Sequence, residues 1–113
     1  PSQEPLAARK RWLAGHLQIR GTIVLDKGAV KAIVKDGRSL LAVGIRHVAG
    51  DFGRGDLVAC VDLTGKEVAR GLSNYSAKEA AAVCGKNSAD IGAILGFSYG
   101  AEVIHRDDMV ITN

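Results

Sequence analysis

Two apolar runs, Leu57 to Asp62 and Glu67 to Leu72, are rich in Val, Leu and Ala and are separated by Leu63-Thr64-Gly65-Lys66. That linker suits a type I turn with Gly65 in the left-handed position, so the two runs are predicted to pair as a β-hairpin. Both runs place apolar residues at odd and even positions alike, which predicts that each face of the hairpin is covered. A small barrel or a sheet backed by helices is the expected result.

The same patterning organises the flanks. Gly21 to Leu25 reads as a strand bounded by glycine. Asp26 then suits a helix N-cap, because its carboxylate can accept from backbone N–H groups that have no partner inside the helix, and Gly37 suits the stop. Within that helix Ala29, Val30, Ile33 and Val34 share one face, while Lys27, Lys31 and Lys35 recur every four residues on another, with Arg38 positioned to extend the row. An apolar start at Leu40 passes through Gly44 into a second strand, Ile45-Arg46-His47-Val48. Beyond the hairpin, Ser76-Ala77-Lys78-Glu79 is a capping box whose helix should run to about Cys84 and stop at Gly85. Ser88 begins another helix, with Asp90 near its positive end and Ile91, Ile94 and Leu95 facing inward until Gly96. Glu102 to Ile104 and Met109 to Ile111 read as short strands around the polar turn His105-Arg106-Asp107-Asp108. Neither repeats nor low-complexity segments interrupt this order.

Composition sharpens the picture. A chain of 113 residues with 47% hydrophobic content supports one domain, and with only 4% aromatics its core must be aliphatic. Few aromatics are then expected on the surface for base stacking, which disfavours single-stranded nucleic acids. No apolar run reaches the length of a membrane span and no charged-then-apolar leader is present, so no membrane association is expected. The start at Pro1, without methionine, fits a fragment. Residues 1 to 12 read as the end of a linker from a preceding domain, with both prolines and the basic triplet Arg9-Lys10-Arg11, and residues 13 to 113 read as the domain itself with a helical extension toward the C-terminus.

Charge is unevenly placed. Residues 1 to 50 hold nine Lys/Arg against three Asp/Glu, and residues 51 to 113 hold six against nine, which together return the net +3. The basic half permits a polyanionic partner, and the lysine row is its best phosphate-facing surface. Cys60 and Cys84 lack metal-ligand spacing and His16, His47 and His105 do not cluster, so no metal site is expected and the cysteines read as two buried free thiols in a reducing cytoplasm.

Reaction chemistry is mostly excluded. Asp51-Phe52-Gly53 and His105-Arg106-Asp107 spell two protein-kinase signatures, but in reversed order and without the glycine-rich loop or catalytic asparagine. Gly50, Gly53 and Gly55 precede a strand and not a helix, so they form no phosphate cradle. Asp107 and Asp108 are adjacent and suit a turn better than a shared acid–base site. No serine or cysteine has an identifiable base, and no catalytic residue is expected.

A family resemblance adds to this reading. Leu25-Asp26-Lys27-Gly28-Ala29, Ser39-Leu40-Leu41 with Gly44-Ile45, Phe52 with Gly55-Asp56, then Asp62, Gly65, Ala69 and Gly71 resemble the PUA domain. Arg9-Lys10-Arg11-Trp12, Asn74-Tyr75-Ser76, the run from Ile94 to Gly100 and Val103 to Asp108 are similar to the C-terminal PUA domain of bacterial glutamate 5-kinases. The resemblance implies a mainly β fold with α elements, a PUA-like pseudo-barrel of about six strands flanked by three to four short helices. It implies an accessory or regulatory role beside an amino-acid-kinase domain that phosphorylates the glutamate side-chain carboxylate with ATP and magnesium, the first step of proline biosynthesis. Neither cofactor would be held by this fragment. The implied partners are the kinase domain of the same chain and further copies in a homo-oligomer. RNA is the alternative partner, since in RNA-binding relatives the first helix and the following loop approach RNA, which corresponds to Lys27, Lys31, Lys35, Arg38 and Arg46. Two departures stand out: Ala42 replaces a usual proline, leaving that loop less rigid, and Ala81 and Ala82 replace frequent charges.

Overall fold

The computed structural model describes residues 18 to 112, so Arg9-Lys10-Arg11, Trp12, His16 and the linker expected over residues 1 to 12 lie outside the described residues. Seven strands and three helices follow in the order β1 (Gly21–Leu25), α1 (Lys27–Val34), β2 (Leu40–Leu41), β3 (Ile45–Gly50), β4 (Leu57–Val61), β5 (Glu67–Leu72), α2 (Ala77–Val83), α3 (Ile91–Leu95), β6 (Glu102–Ile104) and β7 (Met109–Ile111). The predicted elements are all present. The addition is β2, a two-residue strand that exists only because β6 reaches back to pair with it, Leu40 against Ile104 and Leu41 against Glu102.

The hairpin is the centre of the main sheet, whose order is β3-β1-β4-β5-β7. β1 lies parallel to β4 and the other pairs are antiparallel. Four of the five β4 residues are buried, as the run of apolar residues at both parities predicts. The small separate β2–β6 ladder and the helices close over the sheet, and Ile23, Leu25, Ile33, Leu40, Ile45, Val58, Val68, Val83, Ile91 and Ile104 fill the space between as one aliphatic cluster. Tyr75, fully buried, is its largest member.

Local chemistry sets the boundaries. Asp26 caps α1 by accepting from the Ala29 N–H at 2.7 Å. At the other end Gly37 takes φ +64°, and the Arg38 N–H turns back to the Ala32 carbonyl at 3.0 Å. Both halves of the α2 capping box form: the Glu79 N–H donates to the Ser76 hydroxyl and the Ser76 N–H donates to the Glu79 carboxylate. In the hairpin turn Gly65 takes φ +91°, as expected, and Asp62 leaves the strand to accept from the N–H groups of Thr64 and Lys66 and from the Thr64 hydroxyl. Gly44 lies in a short 3-10 turn beneath α1, where an added Cβ would stand 2.5 Å from the Ala29 Cβ.

Three expectations are corrected. Ile94 is 42% exposed. In a helix of five residues the one-turn pair Ile91 and Leu95 takes the core-facing side, and Ile94 is rotated off that side, about 100° from Leu95. Cys60 is buried but Cys84, at the C-cap of α2, is only half-buried, because the helix has already ended there. The few aromatics are not all inside: Phe97 and Tyr99 are 41% and 40% exposed.

Candidate functional site

The first helix forms one wall of each of two grooves. Lys27, Lys31 and Lys35 line the smaller, of about 390 Å³, opposite Asp62, Leu63 and Thr64 of the hairpin turn. All three lysines are exposed, and helical geometry steps them about 6 Å apart along the wall. The facing Asp62 carboxyl is held below its ordinary range first by the Thr64 hydroxyl; desolvation, the next largest effect, opposes this, and the Lys66 and Thr64 N–H groups add to the lowering. Its charge is therefore engaged within its own turn, and the groove presents three ammonium groups.

Arg38 does not extend that row. The turn at Gly37 carries it to the opposite side of α1, into a larger groove of about 820 Å³ that it shares with Ser39, Leu41, Val43, His105 and Arg106. The Arg106 N–H donates to the Ser39 hydroxyl at 2.8 Å, tying the two walls together. Arg46 lies exposed on β3, an edge of the main sheet, and lines neither groove. The five predicted cations thus divide into three separate surfaces. His47, also on β3, is exposed.

At the other end of the hairpin stands a third feature. The Tyr75 hydroxyl accepts from the Tyr99 N–H at 2.9 Å and donates to the Gly100 carbonyl at 2.6 Å. Asn74 donates from its side chain to the Tyr99 carbonyl at 2.9 Å and accepts from Arg54 Nε at 3.2 Å. These bonds hold residues 96 to 100 as a fixed loop from which Phe97 and Tyr99 project, with ring centroids 5.0 Å apart. The Arg54 guanidinium lies 3.8 Å over the Tyr99 ring, a cation–π arrangement. No functional role is expected for these residues from sequence alone. The available signal was Phe97-Ser98-Tyr99 between two glycines, a pattern that lifts aromatics onto a loop.

The decoy motifs are accounted for by structure. Phe52 is buried, the Gly53 N–H donates to Asp56, and Asp107 lies inside the 3-10 turn Arg106–Asp108, where the His105 ring caps the turn by accepting the Asp107 N–H. Among the described residues no group of three His, Cys, Asp or Glu side chains is placed to hold a metal ion, and no helix is long and apolar enough to cross a membrane. Burial, reinforced by the Glu67 carboxylate, pushes the Cys60 thiol up to about 12, which keeps it protonated.

The PUA domain model matches residues 21 to 95, which contain the whole hairpin, both α1 grooves' helical wall and α2. The chain belongs to the PUA domain family. A solved PUA domain from Aeropyrum pernix, crystallised with tartrate, is 25% identical and superposes with a TM-score of 0.56 over 76% of this chain and 41% of that one. A chain of an archaeal box H/ACA sRNP complex is 32% identical, with a TM-score of 0.50 over 58% of this chain and 20% of its own length. Among curated relatives, glutamate 5-kinase of Marinomonas is 58% identical over 111 residues, which is 98% of this PUA chain and 30% of the kinase. The region matched in such kinases is their C-terminal part. This PUA chain therefore spans about 30% of the length of the relatives it matches.

Proposed function

We propose that this chain is the accessory PUA domain of a glutamate 5-kinase, acting on the ATP-dependent phosphorylation of the glutamate side-chain carboxylate through contact with the catalytic portion and supplying no reactive group itself. The observation that carries the reading is the extent of the match, 58% identity across 98% of the chain, well beyond the segment recognised as a PUA domain alone. ATP and magnesium belong to the catalytic portion in this reading. The chain serves as a rigid body that presents surfaces, consistent with a packed aliphatic core and short, hydrogen-bonded turns.

The test is a chimera in which this chain replaces the corresponding region of the Marinomonas kinase. It should form glutamyl phosphate at a rate within about threefold of the parent, a margin of roughly 0.6 kcal/mol in activation free energy. The 113-residue chain mixed with ATP, magnesium and glutamate should form none above background. A well-folded chimera without activity, or turnover by the isolated chain, overturns the proposal.

A second reading, RNA binding, is favoured by the lysine-lined groove and by the likeness to a chain of an sRNP complex. If phosphate contacts dominate, affinity for unfractionated transfer RNA falls steeply with salt, and Lys31→Ala with Lys35→Ala lowers the logarithmic salt slope by about two. Binding that is independent of salt, or absent at low salt, eliminates this reading.

A further inference from the structure

Exposed aromatic rings are usually mobile or solvated by default, but the main chain that carries Phe97 and Tyr99 is tied at several points, and the Tyr99 ring packs against Phe97 and Arg54. Tyr75 spends its only hydroxyl on this loop, bonding both the Tyr99 N–H and the Gly100 carbonyl, while Asn74 holds the Tyr99 carbonyl and Arg54 together. Gly96 closes α3 in the left-handed conformation, and the Gly100 N–H is tied to the Ser98 hydroxyl at 3.1 Å. The result is a preset surface of Phe97, Tyr99 and Arg54. Phe, Tyr and Arg are the residue types that anchor protein interfaces, and a surface already ordered loses little entropy when covered.

We propose that Phe97, Tyr99 and Arg54 form the anchor by which this domain docks onto the catalytic portion of its own kinase polypeptide, through an apolar slot that receives Phe97 and a carboxylate that meets the free edge of the Arg54 guanidinium. This rests on the proposed function above and adds its contact surface. Two observations select that occupant. The loop lies after residue 95, where the match to the PUA family model ends, yet inside the 111 residues matched to glutamate 5-kinases. Those kinases also carry about 70% of their length outside the matched region, which provides a covalently tethered partner. Asn74 accepts from Arg54 through Nε, leaving the guanidinium η nitrogens for the bidentate carboxylate contact that arginine favours.

The experiment uses the active chimera with p-benzoylphenylalanine in place of Phe97, irradiated and mapped by mass spectrometry. Cross-links to the catalytic portion, whose yield drops about tenfold when Arg54→Glu is added, support the proposal, tenfold being the loss expected from one interface anchor. Cross-links confined to another copy of this domain, to co-purified RNA, or to nothing overturn it. So does a yield unchanged by Arg54→Glu. If the unsubstituted chimera is active and these cross-links are missing, the docking surface is wrong and the accessory function stands; an inactive chimera counts against the function itself.

Discussion

The two ends of the central hairpin are built on opposite principles. At its turn, three exposed lysines stand on a helix face across a groove from Leu63, Thr64 and a carboxylate already engaged by its own turn. At its base, a buried tyrosine and an asparagine hydrogen-bond the main chain that carries two exposed aromatic rings, and the asparagine also holds the arginine that stacks on one of them. Long flexible cations attract a polyanion from a distance without specifying its shape. Rigid rings do the reverse, giving little at a distance and much on close fit. One domain therefore carries a salt-sensitive surface and a shape-sensitive one, and perturbing each should leave the other intact.

Tyr75→Ala should have the largest effect. It removes a fully buried ring together with the loop's anchor, costing about 3–5 kcal/mol by chemical denaturation. Hydrogen exchange should show the loss concentrated in residues 96 to 100, while α1 keeps its relative protection; equal loosening of both ends would dissolve the contrast.

Next comes pH, which acts between the two ends at Cys60 on β4. The folded thiol ionises at about 12 against 9.0 for an ordinary one, so its stabilising contribution is complete below pH 9. Above that the unfolded chain releases a proton that the folded one retains, and stability should fall by about 1.4 kcal/mol per pH unit until the folded thiol titrates. Urea midpoints from pH 8 to 11, compared with Cys60→Val, isolate this slope. A parallel dependence in the variant would assign it elsewhere.

Ser76→Ala breaks the α2 capping box beside the aromatic loop and should cost about 1 kcal/mol in thermal or urea unfolding. The smallest change in stability, within about 0.5 kcal/mol, is expected for Lys31→Ala with Lys35→Ala, both exposed. That pair should alter only the salt response of polyanion binding. A large loss of stability would show that the lysine stems pack against the groove and are not simply solvated.

Much of the fold is legible along the chain because its signals are local. Strands Gly21–Leu25, Glu67–Leu72 and Met109–Ile111 have their predicted limits, and Asp26, Gly37, Gly65 and the Ser76–Glu79 box do what their chemistry dictates. Pairings between distant segments were not legible. β2 is a strand only because β6, more than sixty residues later, comes to meet it. The candidate site was read only in part, for the same reason. A four-residue spacing places three lysines on one helix face, but where Arg38 points depends on a single left-handed turn, and nothing local distinguishes the buried ring of Tyr75 from the exposed rings of Phe97 and Tyr99.

Gly44 has a consequence for how the cationic helix is aimed. With no side chain there, α1 rests almost directly on the backbone of the 3-10 turn, and a methyl group in that position would collide with Ala29. The bearing of the three ammonium groups is thus governed by an atom that is missing beneath them. Evolution or an engineer could swing the whole charged wall by shimming it from below, with every lysine left in place.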